Sequence, residues 1–370
     1  MNLQHLLLYC RPGFESECAA EIMDITAANN LYGYVKAKAD SGYVLFTAQA
    51  ATTRDAWNDA IAFNQLVFAR QMLLVKPLIS GLPVDDRITP LLDTIGGFDT
   101  RFCELHLETP DTNDGKQLSG FCRKFTGPLR HALEAGHFMD GTSPWRLHLL
   151  FLNSSTLYAG VSRVANSSPL PMGIPRLRMP GAAPSRSTLK LEEALLTLLD
   201  QGERKKYLRN GMTAVDLGAS PGGWSWQLVQ RGIRVAAIDN GPMDQALLDS
   251  GLLRHIRADG FKYQPPQKVD WLVCDMVERP LHISRLVSRW LLEGYCDHAV
   301  FNLKLPMKQR YAMVNDCREL ISEQLGQAGM RFELRMKQLY HDREEITCVL
   351  LTGDRHVRSR NKDESANERK

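Results

Sequence analysis

Two rhythms of apolar residues run through the first half of the chain, one of period two and one near 3.6 residues. Each change of rhythm marks a change of element. "LLLYC" (Leu6–Cys10) has the length and composition of a short strand. In "FESECAAEIMDITAA" the residues Phe14, Cys18, Ile22 and Ile25 fall near one face, which predicts a helix. "YGYVKAKADSGYVLFTA" alternates on both sides of Asp40-Ser41-Gly42 and predicts a hairpin turning there. The resulting β-α-β-β order suits one half or more of a ferredoxin-like sandwich. A helical stretch is then expected around "AWNDAIAFNQLVFARQMLLV", leading into a second α+β unit. In that unit "CELHLETPDT" reads as a strand and "KQLSGFCRKFTGPLRHALEAG" as a helix disturbed at Pro128. "WRLHLLFLNSSTLYAGVSR" completes it as a second hairpin, turning at Asn153–Ser155.

The run "SSPLPMGIPRLRMPGAAPSRS" is rich in proline, glycine and serine and marks a domain boundary. Beyond it the apolar segments "AVDLG", "RVAAID", "HIRAD", "VDWLVCDM" and "AVFNLKL" alternate with helical ones, which predicts a doubly wound, Rossmann-like parallel sheet. "RFELRMKQLY" and "ITCVLLTG", separated by "HDREE", look like an antiparallel pair closing that sheet. The expected organisation is therefore two α+β units (1–60 and 61–172), a linker (173–186), an α/β domain (187–354) and a disordered tail (355–370).

Composition narrows the class without deciding it. The chain has 370 residues, 44% apolar and 24% charged, as in an ordinary soluble globular protein with two or three domains. There is no run of eighteen apolar residues, and the first residues lack a signal-peptide pattern, so a cytoplasmic location and no membrane partner are expected. Eight cysteines stand singly, without C-x-x-C pairs, which suggests buried apolar side chains rather than a metal site or disulfides. A net charge of +3 is uninformative, but Arg163, Arg176, Arg178, Arg186 and Lys190 fall in a stretch with no acid. That segment suits either a phosphate backbone or a solvated linker. Arg123, Lys124 and Arg130 on the predicted helix leave the same choice, with a solvated face favoured for each singly.

The most informative run is "AVDLGASPGGW", a strand ending in the glycine-rich turn Gly218–Gly223. It lacks the Lys-Ser/Thr of a P-loop, and Ser220 stands where the dinucleotide fingerprint needs glycine. Pro221 removes one N–H that a pyrophosphate would use, and Asp216 just before the turn disfavours an anion. A ligand with an amino group and no phosphate fits better, and S-adenosylmethionine answers that description. Asp239 ends the second strand, where a carboxylate can accept both ribose hydroxyls; Asp259 ends the third, within reach of an adenine amino group. Each aspartate alone is more often a turn or cap residue. Three acids at successive strand ends in register with the loop are harder to ascribe to chance.

Four further charges carry candidate chemistry. Asp275 follows "WLVC", Lys304 lies in "FNLKLP", Glu345 lies in "HDREEIT", and Lys190 opens the helix leading into the domain. A lysine closing an apolar parallel strand is unusual, although it can also snorkel to solvent. Together the four suggest methyl transfer to a poor nucleophile such as a ribose 2′-hydroxyl. For Lys304 to take the hydroxyl proton its pKa must fall, by burial or beside a cation such as Lys190, with Asp275 and Glu345 orienting the amines. Cys274 would point to the opposite face from Asp275 and so into the core, which argues against a cysteine nucleophile of pyrimidine C5 chemistry. The absence of an Asn-Pro-Pro-aromatic run argues against transfer to an exocyclic amine.

The motifs "SRSTLKLEEA", "VDLGASPGGW", "CDM", "NLKLP" and "HDREE" resemble the FtsJ-like ribose 2′-O-methyltransferases, whose site is a Lys-Asp-Lys-Glu tetrad. The resemblance maps that tetrad onto Lys190, Asp275, Lys304 and Glu345, with Glu344 in poorer register. "CRPGFESECAAEI", "DRITP", "FCRKFTGPLR", "MGIPRLRMPGAAPSRSTLKLEEA", "DNGPM" and "LYHDREE" extend it, along nearly the whole chain, to a branch that methylates a cytidine ribose in the peptidyl-transferase region of 23S rRNA. It implies a ferredoxin-like N-terminal domain (1–60), a THUMP RNA-binding domain (61–172) and S-adenosyl-L-methionine as cofactor. It also implies Ser187, Ser220, Pro221, Gly222, Gly223, Asp239, Asp259 and Asp275 as cofactor contacts and Lys304 as proton acceptor. The implied partner is 23S rRNA, naked or partly assembled; no obligate protein partner is implied, and a monomer is expected. Ser220 departs from the Cys or Ala common in related loops, a small change among small side chains. The remaining readings are a 2′-O-methyltransferase of another RNA and a non-catalytic RNA-binding ribosome-assembly factor. The intact tetrad and loop weigh against the second, and the glycine spacing weighs against a nicotinamide oxidoreductase.

Overall fold

A computed structural model describes residues 2–353; the expected tail from Arg355 lies outside the described residues. The chain begins with β1 (Asn2–Cys10), α1 (Glu15–Ala28), β2 (Gly33–Ala37), β3 (Tyr43–Thr53), α2 (Arg54–Ala60) and β4 (Ala69–Val75). β3 and β4 both lie antiparallel to β1, and the order β2-β3-β1-β4 is ferredoxin-like. Phe14, Cys18 and Ile22 are buried, as helical spacing predicts.

β4 corrects an expectation. Its residues close the stretch read as helical, but they form a strand buried at all seven positions. A strand covered on both faces shows no period-two signature, so periodicity alone cannot separate it from a buried helix. The helix is confined to α2, whose N-terminus is capped where the Ala56 N–H donates to Thr53 Oγ1. β4 also lies past the boundary expected at residue 60, yet it pairs with β1 from His5–Val75 to Cys10–Ala69 and pairs with a strand of the next unit at Leu74 and Val75.

The second unit comprises α3 (Ile88–Gly96), β5 (Glu104–Glu108), α4 (Asn113–Ala135), β6 (Trp145–Asn153) and β7 (Thr156–Arg163). β7 pairs with β4, so the two N-terminal units share one seven-stranded sheet. α4 runs unbroken through Pro128, where a disturbance was expected. Pro128 and Lys124 are both exposed, so the carbonyl that the proline leaves unpaired faces solvent. A buried polar knot fastens this sheet to the residue just before the linker. Tyr9 Oη donates to Glu108 Oε2 at 2.8 Å, His148 Nδ1 lies 3.0 Å from the same oxygen, and the Met172 N–H donates to Glu108 Oε1.

The third unit holds α5 (Thr188–Leu198), α6 (Gln201–Tyr207), β8 (Thr213–Leu217), α7 (Gly223–Val229), β9 (Arg234–Ile238), α8 (Gln245–Asp249), β10 (Leu253–Ile256) and β11 (Val269–Cys274). It continues with α9 (Pro280–Leu292), β12 (Cys296–Lys304), α10 (Arg310–Gln327), β13 (Phe332–Lys337) and β14 (Glu345–Thr352). The sheet order is β10-β9-β8-β11-β12-β14-β13, with β8 to β12 parallel and β14 antiparallel between β12 and β13. Strand order reverses between β8 and β11, which opens a crevice beyond their carboxyl ends. All eight cysteines are free and seven are buried. Among the described residues no helix is long and apolar enough to cross a membrane.

The last residue of β13 joins the two sheets' units. Lys337 is buried, donates to the Leu66 carbonyl at 2.8 Å and lies over the Phe63 ring at 4.0 Å. Glu21 of α1 holds the same segment by accepting the N–H groups of Val67 (2.6 Å) and Phe68 (3.0 Å). Burial pushes the Lys337 amine down to about 8, against the opposing pull of Glu21. An unfolded lysine keeps its proton up to its ordinary value of 10.5, so between about 8 and 10.5 the unfolded chain binds the extra proton. The contribution of Lys337 to stability should therefore rise with pH across that window, while the buried thiols, raised by burial, act in the opposite direction. The denaturant midpoint of the wild type relative to that of Lys337→Met is expected to climb over it.

Candidate active site

The loop after β8 is built by close backbone approach. Gly218 and Gly222 have φ of +76° and +117°, a region open to glycine at little cost. A Cβ on Gly223 would stand 2.1 Å from Ser187 Oγ and 2.3 Å from Ser185 Oγ, so only glycine lets the loop meet the start of α5. The loop after β9 is laced to it: the Ser220 N–H donates to Asp239 Oδ2 at 3.1 Å, and the Gly241 N–H donates to Asp239 Oδ1 at 2.7 Å. Ser187, Ser220, Pro221, Gly222, Gly223 and Asp239 thus gather at one end of the parallel strands. Asp259 is less close-set. It lies three residues past the end of β10, half-exposed, with Oδ1 accepting the Phe261 N–H at 2.9 Å. Its neighbour Gly260 brings that turn to the crevice, since a Cβ there would lie 3.0 Å from Met276 Sδ.

Asp216 departs from the expectation that it meets a ligand's amino group. It lies inside β8, 1% exposed, and Ser225 Oγ of α7 donates to its Oδ2 at 2.7 Å. Burial pushes its carboxyl up to about 7; Asp275 and Asp239 add to the rise and the Ser225 hydrogen bond opposes it. It therefore supports the loop from below rather than lining its surface.

The tetrad residues converge. Lys304 Nζ donates to Asp275 Oδ1 at 2.5 Å and to Glu345 Oε2. Lys190 Nζ pairs with Glu345 Oε1 and lies 3.5 Å from Asp275 Oδ2. Each amine touches both carboxylates, and the four groups close a ring of alternating charge. Asp275 and Lys304 stand at the carboxyl ends of β11 and β12, Glu345 begins β14, and Lys190 lies in the first turn of α5. Register decides between the adjacent glutamates: Glu345 pairs opposite Lys304, whereas Glu344 faces outward to Arg310. Cys274 is fully buried, and burial pushes its thiol up to about 12, so it belongs to the core.

The charge state of Lys304 is the opposite of the one expected. Burial works to lower its pKa, but Asp275 and Glu345 outweigh burial and hold the amine above its ordinary value. The same pairing acts on Glu345: burial pushes its carboxyl up, and Lys304 and Lys190 more than reverse the rise. In this state Lys304 is an ammonium that organises the carboxylates.

With this geometry in view, comparison with known proteins is direct. Residues 3–73 match the RlmM ferredoxin-like domain, residues 86–163 match the N-terminal region of ribosomal RNA large subunit methyltransferase M, and residues 183–314 match the FtsJ-like methyltransferase model. The ribosomal RNA large subunit methyltransferase M of Cellvibrio japonicus is 52% identical over 348 residues, covering 94% of this chain and 99% of that one. The chain belongs to the ribosomal RNA large subunit methyltransferase M family. The Methylococcus capsulatus member is 53% identical over 345 residues, covering 93% of this chain and 97% of its own. Among solved structures, TrmN from Thermus thermophilus is 16% identical with a TM-score of 0.33, covering 94% of this chain and 99% of that one.

Sequence reading passed over four residues that hold this site of the methyltransferase M family together. Glu193, one turn after Lys190, is 2% exposed and accepts the N–H groups of Tyr340 and His341, both at 2.8 Å, and lies 2.6 Å from His341 Nδ1. It fixes α5 to the segment that delivers Glu345. Asn302, Thr347 and Asp342 form a buried chain behind Asp275. Polar residues inside apolar strands were the available signal, present in "VFNLK" and "EEITC". For Asp216 the expected outcome is a carboxyl titration near 7 by carbon-13 NMR. Ser225→Ala should move that titration upward, because the lost hydrogen bond favours the charged form.

Proposed function

We propose that this protein transfers the methyl group of S-adenosylmethionine to the ribose 2′-hydroxyl of a cytidine in the peptidyl-transferase region of 23S rRNA, in the cytoplasm. The observation that carries the reading is the closed Lys190–Glu345–Lys304–Asp275 ring at the switch point, beside a glycine loop with no P-loop or dinucleotide spacing. The sequence relatives are named as large-subunit rRNA methyltransferases, which supports ribosomal RNA as the substrate class.

The residues present fit the cofactor. Gly222 and Gly223 let the loop pack closely on Leu247 and the start of α5, and Pro221 offers no N–H to an anion. Asp239 keeps a lone pair on each oxygen after accepting the Ser220 and Gly241 N–H groups, enough for a ribose diol. Ser187, Ser220–Gly223, Asp239, Asp259 and Asp275 would hold S-adenosylmethionine there. When bound it supplies the methyl group and the positive charge of a sulfonium.

Lys304 is the proton acceptor in this reading. In the free site Asp275 and Glu345 keep it protonated, and burial already works the other way. As the neutral amine Lys304 would accept the 2′-hydroxyl proton on Nζ, and added positive charge near the site would favour that neutral form. Lys190 and the two carboxylates keep the amine aimed at the hydroxyl, so alignment supplies much of the rate. Residues 61–172 are assigned to RNA binding as a THUMP unit, and residues 187–354 to catalysis. Exposed Arg123 and Arg176, with Lys116, border a cleft of about 420 Å³ between α4 and the linker, a surface suited to phosphate.

Labelled methyl transfer to 23S rRNA fragments, with primer-extension mapping of the modified sugar, tests the assignment. Lys304→Ala and Asp275→Ala are expected to fold and bind RNA while losing at least about 100-fold in turnover. Full activity in both would refute the mechanism. In the wild type kcat/KM, which follows the free enzyme, should keep rising with pH into lysine's ordinary range, because only the neutral amine accepts a proton.

A further inference from the structure

Behind the charged ring lies a line of buried polar groups whose protons can be counted. Asn302 Nδ2 donates to Asp275 Oδ1 at 2.9 Å. Asn302 Oδ1 and Thr347 Oγ1 are 2.7 Å apart, and Thr347 Oγ1 lies 3.1 Å from both oxygens of Asp342. The Leu339 N–H donates to Asp342 Oδ2 at 3.0 Å. Asn302 and Thr347 are fully buried and Asp342 is 1% exposed, so water does not complete these bonds.

The direction of each bond follows from what each group can give. Asp275 touches two lysines as a carboxylate and can only accept, so the Asn302 amide must turn its NH₂ toward Asp275 and its oxygen toward Thr347. That oxygen can only accept, so the single hydroxyl proton of Thr347 goes to Asn302. Nothing is left on Thr347 to give Asp342. Two acceptors facing one another in a buried site would repel, so the proton between them must sit on Asp342. Oδ2 is occupied by the Leu339 N–H, which leaves Oδ1 to carry it.

We propose that Asp342 is a positioning residue: as a neutral acid it donates to Thr347, and so sets the direction of a hydrogen-bond chain that ends on Asp275 Oδ1. Burial together with nearby Glu345 and Glu193 also favours the protonated form of Asp342. With the chain aligned this way, Asn302 and Lys304 share one oxygen of Asp275 and leave the other to Lys190. Were Asp342 ionised, Thr347 would turn its proton back toward it. Asn302 Oδ1 would then face the Thr347 oxygen with no proton between them, and the amide would no longer be held with its NH₂ on Asp275. The effect on rate rests on the methyl-transfer reading above, whereas the proton placement rests on these distances.

Two measurements separate the claims. The infrared difference spectrum between the wild type and Asp342→Asn should show the C=O stretch of a neutral buried acid in the wild type alone; its absence overturns the proton placement whatever the activity. In the transfer assay, Asp342→Asn should stay within about threefold of wild-type kcat, since a carboxamide also donates to Thr347 and accepts from Leu339. Thr347→Ser should behave likewise. Asp342→Ala and Thr347→Val should lose about tenfold or more in kcat while RNA affinity is unchanged. Thr347→Val at full kcat, or Asp342→Asn folded yet as impaired as Asp342→Ala, would overturn the inference. A fully active Lys304→Ala would instead sink the proposed function and leave the infrared result to decide the chain.

Discussion

Two lysines and two carboxylates share one mostly buried corner of this protein, and the need to keep all four paired constrains the elements around it. Their side chains are only 6% to 22% exposed, so removing any one leaves an uncompensated charge in a poorly solvated place. Each comes from a different element, so the ring exists only when β11, β12, β14 and α5 are all in place. Strand direction matters as much as identity. Lys304 is the last residue of β12 and Glu345 the first of β14, and only an antiparallel β14 puts them side by side. A sixth parallel strand would have carried its first residue to the opposite end of the sheet.

The ring is also tied to the rest of the chain. Glu193 anchors the Tyr340–His341 segment to the helix that bears Lys190. The Tyr340 ring in turn faces the guanidinium groups of Arg70 from β4 and Arg176 from the linker, at 5.5 and 5.6 Å. Those cations come from the two parts of the molecule that precede the second sheet. A run of direct contacts therefore links the N-terminal sheet and the linker to the segment that delivers Glu345. The Lys337 junction holds the same region a few residues earlier, so the short stretch from β13 to β14 serves both the site and the contact between units.

Much of this is legible in the order of residues alone. A glycine-rich turn, a proline in place of an N–H donor, and charges at the ends of apolar runs are local facts that sequence states outright. The loop, the tetrad and the order of the α/β strands could be read from them. β4 was misread because a strand buried on both faces has no periodicity to show. Asp216 was misplaced because neighbouring strands, which sequence does not reveal, cover it.

By itself, then, the sequence determined which chemical groups are available, on which elements they sit, and which ligand types the glycine loop disfavours. Tertiary structure decided how those groups act on one another. The raised pKa of Lys304, the near-neutral titration of Asp216 and the proton order along Asp342, Thr347 and Asn302 all depend on distances of a few ångströms between residues far apart in the chain. Electrostatic interaction and desolvation depend on that spacing and on what covers it, and neither can be read from the order of residues.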